Sequence, residues 1–284
     1  MNTNKSSKFY KKGNFTNTEW NLLEKYAPCL VFDDKEPFFP VKIGCTIYYQ
    51  SHHPPSLSYY YKKYYPWAQL FDFGRSILIT SIYEKPIPDV TKYVKYRFQR
   101  VLMTIRDGPA AFRRAKRVLE YAMFYTADIQ HVYELEHCWM YLDEKDELIG
   151  VKGTRHGVYI NMYSNPQSIK YFKGHPVLFV SPGKHEIGAN VDMFSFKILE
   201  KACSVMAGSV GIYRFYFVPK DELRQIALLH IKKQYVREAF MKKYAFVPSF
   251  QWHKCRIPKR GLLIPWDELA KRVPKILYDF LSRL

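Results

Sequence analysis

The chain has 284 residues, 48% of them apolar and 25% charged, a length and balance that support a sizeable core and exclude an intrinsically disordered chain. Its net charge of +18 favours anionic partners: a phospholipid surface, a phosphorylated substrate or, with the least support, nucleic acid. No run approaches the roughly 18 apolar residues that cross a bilayer, and the basic stretch MNTNKSSKFYKKGNF lacks an apolar segment, so neither a membrane helix nor a secretory signal is expected.

An aromatic content of 17%, led by 24 Tyr and 20 Phe, favours a β-rich or mixed fold. Cys29, Cys45, Cys138, Cys203 and Cys255 are scattered, odd in number and free of CxxC spacing. They read as reduced, packed thiols, which predicts a cytoplasmic protein without a cysteine-based zinc site.

In chain order, residues 1–17 are polar and read as a frayed tail, and Thr18 to Tyr26 reads as a short helix. Strands are expected at Cys29–Phe32 and Ile43–Tyr49, separated by a turn at Asp33-Asp-Lys-Glu36-Pro37. Residues 51–67, with His52-His53 and interleaved Tyr and Lys, form an aromatic, basic loop. Such a loop stacks on bases, sits at a membrane interface, or simply packs with its lysines solvated. Further strands are expected at 77–83, 101–105, 118–126, 134–142, 148–154, 177–180 and 211–218, with Asp143 to Asp146 closing a hairpin.

After Pro219 the texture changes. Leu223, Ile226, Ala227, Ile231, Tyr235 and Phe240 recur at helical spacing among basic residues, and Trp266 to Leu284 reads as a second helix with Pro274 inside it. From Lys220 onward there are 15 Lys/Arg against 6 Asp/Glu. The expected architecture is mainly β (α+β): an antiparallel β-sandwich core over residues 18–219, with a basic helical region, 220–284, packed on it.

The stretch that carries chemistry is Asp128-Ile-Gln-His131-Val-Tyr-Glu134-Leu-Glu136-His137, which runs into the strand pattern Cys-Trp-Met-Tyr-Leu. Carboxylates and imidazoles entering a core need partners, because an unpaired buried charge costs several kcal/mol. A divalent cation satisfies them together. Alternation places Glu134, Glu136 and Cys138 on one face, and Leu135, His137 and Trp139 on the other. His131 reaches the same ion only if the chain turns at Val132-Tyr133, and Asp128 lies further back on the same approach. The predicted ligands are therefore Asp128, His131, Glu134 and Glu136, with His137 a core or outer-shell residue. A mixed oxygen and nitrogen set suits Mg, Mn, Zn or Fe better than Ca.

The spacing His131-x-x-Glu134-x-Glu136 resembles the heptapeptide Gly-His-Arg-His-Asp-Trp-Glu of the necrosis-inducing, Nep-like cytolysins. In that family the first His, the Asp and the Glu help bind a divalent metal at the edge of a β-sandwich. The resemblance places those roles on His131, Glu134 and Glu136, while Gln130, Tyr133 and Leu135 depart from the motif. The order of pieces over residues 27–190 also resembles a group of vacuolar-sorting-associated and bacterial proteins. These pieces are Phe32-Asp-Asp-Lys-Glu36-Pro37-Phe-Phe-Pro40, Thr154-Arg155-His156-Gly157, and His175-Pro-Val-Leu-Phe-Val-Ser-Pro-Gly183-Lys-His185. This likeness implies a related sandwich with a shared site.

His156 and His185 each lie near a Gly at the end of an expected strand, where a side chain reaches a cleft, and are the candidate catalytic residues, each open to a role as general base, further metal ligand or donor to an anionic substrate. Arg155 is the candidate for holding a substrate phosphate or carboxylate. No phosphate-cradling Gly-rich loop, HExxH helix or Gly-x-Ser-x-Gly elbow occurs. Three readings follow. One is a metal-dependent hydrolase of a phosphoester or lipid, and another is a non-catalytic, metal-dependent module for glycans or lipid headgroups. The third is a structural network of ion pairs with no metal.

Overall fold

The computed structural model describes residues 10–11, 14–49, 109–155, 158–208 and 234–284. The loop 51–67, the strands expected at 77–83, 101–105 and 211–218, and His156 lie outside the described residues.

The first helix, α1 (Asn17–Lys25), is started by a capping box. Thr16 Oγ1 accepts from Glu19 N, while the Glu19 carboxylate accepts from Thr16 N at 2.7 Å. Two backbone donors that the helix leaves open are thereby satisfied. Leu23 turns its side chain into the core. Strand β1 (Tyr10–Lys11) pairs with β3 (Lys42–Tyr49), so the expected tail is in part a sheet edge.

The larger sheet runs β1-β3-β4-β5-β6-β7, with β4 (Arg117–Ala127), β5 (Val132–Leu142), β6 (Leu148–Arg155) and β7 (Val158–Tyr163) joined as antiparallel neighbours. Strand β12 (Leu263–Pro265) adds to β3 in parallel. The smaller sheet runs β10 (Ile187–Gly188), β9 (His175–Val180), β2 (Cys29–Phe32) and β11 (Lys254–Arg256), and β8 (Tyr171–Phe172) also pairs with β9. Strands β2 and β9 are parallel.

The expectation of an all-antiparallel core is therefore corrected: both sheets are mixed. The physical reason is that two of the partners lie far apart in the chain. β2 and β9 are too distant for a hairpin, and β12 returns from the C-terminal region, so either direction of pairing is open to them. That region is also more than helical, because it gives one strand to each sheet.

Strand β4 is buried on both faces. Leu119, Tyr121, Met123 and Tyr125 share one core with Leu30, Phe32, Leu178 and Val180 of the smaller sheet. Ala122 and Phe124, on the opposite face, pack under α4 (Trp266–Arg283). Along α4, Trp266, Leu269, Val273, Leu277 and Leu281 recur every three or four residues and form one apolar stripe. The helix lies so close to β3 that a Cβ on Gly44 would meet Leu269 Cδ2 at 2.7 Å. Two shorter helices, α2 (Phe196–Cys203) and α3 (Gln234–Lys243), complete the described α-helices, and the first of these carries no signal read from the sequence.

Cys29 and Cys255 form a disulfide between β2 and β11, with Cα atoms 6.2 Å apart. This corrects the expectation of five reduced thiols. Cys45, Cys138 and Cys203 are free and buried. The two bonded residues lie 226 positions apart and become neighbours only through strand pairing, so linear spacing could not reveal them.

Candidate metal centre

The β4–β5 hairpin sets the site. Ala127 pairs with Val132, leaving Asp128 to His131 as the turn, closed by Asp128 N donating to His131 O at 2.9 Å. One carboxylate oxygen of Asp128 builds this turn: Oδ1 accepts from Gln130 N at 2.6 Å and from His131 N at 2.7 Å. An Asp side chain that mimics a backbone turn in this way fixes its own orientation. The second oxygen, Oδ2, is then held toward His131 Nε2 at 3.1 Å. Tyr133 has a φ of 75°, a left-handed conformation that an aromatic residue rarely adopts. This is the Val132-Tyr133 step on which the reach of His131 depended, and His131 Nε2 lies 3.7 Å from Glu134 Oε2.

Asp128, His131 and Glu134 each offer one ligand atom, all within 4.8 Å of one another, and all three residues are buried. Donors about 2.1 Å from a tetrahedral ion lie about 3.4 Å apart, so the spacings of 3.1 and 3.7 Å fit one ion. His131 Nδ1 lies 3.0 Å from Tyr133 O. A carbonyl only accepts, so the proton of the neutral ring sits on Nδ1 and the Nε2 lone pair faces the carboxylates. Metal-binding histidines commonly have a backbone carbonyl on the other ring nitrogen in this way.

The charges sharpen the picture. Burial pushes the His131 imidazolium down to about 4, so the ring is neutral near pH 7. Burial, together with the charges of Glu136 and Asp128, pushes the Glu134 carboxyl well up. Burial alone would raise Asp128 too, but the charges of His131 and Lys184 outweigh it and hold that group well below the usual carboxylate range. At neutral pH the Lys184 ammonium is the one of these two that keeps Asp128 ionised.

Glu136, the fourth predicted ligand, lies outside this group. It is fully buried on the same face of β5 and accepts the Thr154 hydroxyl from β6. His137 points to the opposite face, where Nδ1 meets Glu120 Oε1 at 2.9 Å and the ring stacks on Trp139. Arg155 directs Nε (3.2 Å) and Nη2 (2.8 Å) to Glu186 Oε2, so its guanidinium is engaged within the chain.

His185 is fully buried beside the site. Its ring stacks on Tyr125 with centroids 4.0 Å apart and planes 3° from parallel, and Nε2 lies 3.2 Å from Glu36 Oε1. Glu36 also accepts from Phe38 N at 2.9 Å and Gly183 N at 2.6 Å. With Nε2 donating to the carboxylate, Nδ1 is the basic nitrogen, and it has no hydrogen-bond partner among the described residues. His185 holds a φ of 57°, which costs energy and marks a position over-determined by its surroundings.

Two residues here escaped the sequence reading. Glu36 was read as part of a turn and of the Phe32–Pro40 piece of the resemblance, and Lys184 only as a position within the His175–His185 piece, neither with a site role. Lys184 Nζ lies 2.5 Å from Asp128 Oδ2, with its side chain only 13% exposed. No property of its neighbours in sequence distinguishes it; the pairing of β9, β10 and the hairpin turn does.

The described chain is thus a mostly β protein of two mixed sheets and a C-terminal helix, with a buried Asp–His–Glu group of metal-ligand type at one hairpin end. No protein family matches the chain, and neither a curated protein nor a solved structure does. Among the described residues, no helix is long and apolar enough to cross a membrane.

Proposed function

We propose that this protein binds one divalent cation (Mg, Mn, Zn or Fe) through Asp128, His131 and Glu134, and uses it to hydrolyse an anionic phosphoester or lipid at the edge of a β-sandwich. The observation that carries this reading is the orientation of His131: its proton is committed to Tyr133 O, so Nε2 presents a lone pair toward two carboxylates. Asp128, His131 and Glu134 each offer one ligand atom within 4.8 Å of the others, a spacing that one cation spans. When bound, the ion supplies Lewis acidity, polarising a phosphoryl or carbonyl oxygen and acidifying water.

The chain supplies the rest. Glu36 fixes the tautomer of His185 and Tyr125 fixes its plane, and Nδ1 is the candidate general base. The net charge of +18 draws an anionic substrate.

The test is metal content by elemental mass spectrometry on protein purified without a metal column, beside His131→Ala. About one equivalent, lost in the variant, supports the centre. Equal metal in both proteins sinks it. A second reading, a non-catalytic module whose metal shapes a surface for glycans or lipid headgroups, is favoured by the burial of all three ligands. Saturable, metal-dependent binding to liposomes or glycans without turnover would select it.

A further inference from the structure

Lys184 sits in a turn that the fold pins from two sides. Ser181 N donates to Glu186 O at 2.8 Å and His185 N to Ser181 O at 3.0 Å, closing the turn between β9 and β10. Gly183 gives its N–H to Glu36 Oε2 and accepts Ile129 N at 2.9 Å, which ties the turn both to the segment after β2 and to the Asp128–His131 hairpin. Gly183 has a φ of 68°, and a Cβ there would meet Cys203 Sγ at 2.5 Å and Ile129 Cγ2 at 2.7 Å. Only glycine allows this approach, and the approach delivers the next residue, Lys184, onto Asp128 Oδ2.

Asp128 Oδ2 therefore serves two cationic or cation-seeking partners. One is His131 Nε2 at 3.1 Å, on the proposed ion; the other is Lys184 Nζ at 2.5 Å. The Lys184 ammonium balances the Asp128 carboxylate, so a divalent ion that takes this carboxylate places a second positive charge beside the ammonium. Glu36 and Glu136 are occupied elsewhere, the first by Gly183 N, Phe38 N and His185, the second by the Thr154 hydroxyl. An ion held by Oδ2 comes within a few ångströms of the ammonium, and the two repel strongly in a buried setting. Lysine has a flexible four-carbon stem and three donors, so it can leave one oxygen for another without moving the backbone.

We infer that Lys184 is an oxyanion-binding residue: it neutralises Asp128 until a divalent ion takes that carboxylate, and then binds a phosphate-type oxygen of a ligand bridging it to the ion. This rests on the proposed metal centre and names the ligand class of that same site. Anion and metal then bind with reciprocal coupling, each tightening the other by one and the same factor, because linkage requires it. Removal of the ammonium should have opposite effects on the two ligands. The metal alone binds more tightly, having no buried cation to displace, while the anion loses its donor.

The experiment is calorimetric titration of Mn²⁺ into chelator-treated full-length protein, with and without inorganic phosphate, for wild type, Lys184→Met and Lys184→Gln. Expected for wild type is Mn²⁺ affinity about tenfold higher with phosphate. Both variants should bind Mn²⁺ more tightly than wild type in the absence of phosphate, and phosphate should leave their affinity unchanged. The phosphate effect in wild type needs no variant, so the inference stays testable if either substitution impairs folding.

Wild type that binds Mn²⁺ with no response to phosphate overturns the inference and leaves the metal centre standing. So does a variant that retains the full phosphate effect, or one that binds Mn²⁺ more weakly. Wild type that takes up no Mn²⁺, with Zn²⁺ giving the same result, removes the metal centre and this inference together.

Discussion

On the outer face of the β4–β5 pair, Glu120 lies between His137 and Tyr48; at the hairpin end of the same pair, Asp128 lies between His131 and Lys184. Both are buried carboxylates with an imidazole neighbour, on strands that share one register. They differ in what their oxygens face. Glu120 has a ring N–H on one oxygen and the Tyr48 hydroxyl on the other, and His137 adds its backbone N–H to Thr154 Oγ1 at 2.8 Å. That arrangement is closed by donors, and Trp139 and Trp266 lie against the ring. At Asp128 one oxygen is closed by two backbone donors, but the other faces a lone pair, a second carboxylate and an ammonium. Composition alone would rate the two clusters equally. The difference is in the kind of neighbour: Glu120 meets a neutral hydroxyl and a ring nitrogen, and Asp128 meets an ammonium and belongs to an Asp–His–Glu group of metal-ligand type.

The largest expected effect comes from Asp128→Ala, which removes the oxygen shared by His131 and Lys184. Metal affinity should fall by more than about a hundredfold, beyond the range for losing an outer-shell partner, while Glu120→Gln keeps wild-type metal content. Elemental analysis after dialysis reads both, and equal losses in the two variants would erase the distinction between the clusters.

Next in size is Glu120→Ala. Breaking a buried, hydrogen-bonded pair by deleting one partner costs about 3–5 kcal/mol, so its urea midpoint should fall well below that of wild type. A variant with unchanged stability would show that the outer network contributes nothing to the fold.

Loss of the Cys29–Cys255 bond, by double substitution to Ser, should cost about 2–4 kcal/mol and leave metal content intact, since the bond joins β2 to β11 and none of the three ligands lies on either strand. Melting in parallel with metal analysis checks it, and a variant that lost the metal would mean that the two regions are coupled through β2.

The smallest effect is expected from Gly44→Ala. The added methyl presses on Leu269 and Trp266, and overpacking of this kind costs about 1–3 kcal/mol. Because Trp266 lies 6.2 Å from the His137 ring, the disturbance should reach the outer network first. Tryptophan fluorescence that shifts with no change in metal affinity would sharpen the separation between the two faces.

Local pattern made much of this legible. Period-two alternation separated Glu134 and Glu136 from His137, and β2 begins and ends where the apolar run Cys29–Phe32 does. Spacing made the reach of His131 conditional on a turn at Val132-Tyr133, and Tyr133 takes a φ of 75° there. Alternation could not show that Glu136 is drawn to Thr154 on the neighbouring strand, because a shared face gives direction and not partnership. For the same reason spacing could not show that the guanidinium of Arg155, at the end of β6, is tied to Glu186, 31 residues on and just before β10.

What the sequence determined by itself is therefore local: the strands around the hairpin, the faces of their side chains, the amphipathic stripe of α4, and the presence of ligand-type residues at Asp128, His131 and Glu134. Each depends on neighbours within a few residues, where chain geometry is nearly fixed. Tertiary structure alone decided the parallel pairing of β2 with β9, the Cys29–Cys255 bond, the Glu36–His185 pair and the placement of Lys184 on Asp128. The last two join residues 149 and 56 positions apart. Such contacts depend on which sheet edges and turns meet in space, and nothing in the chemistry of either partner announces the other until the core has closed.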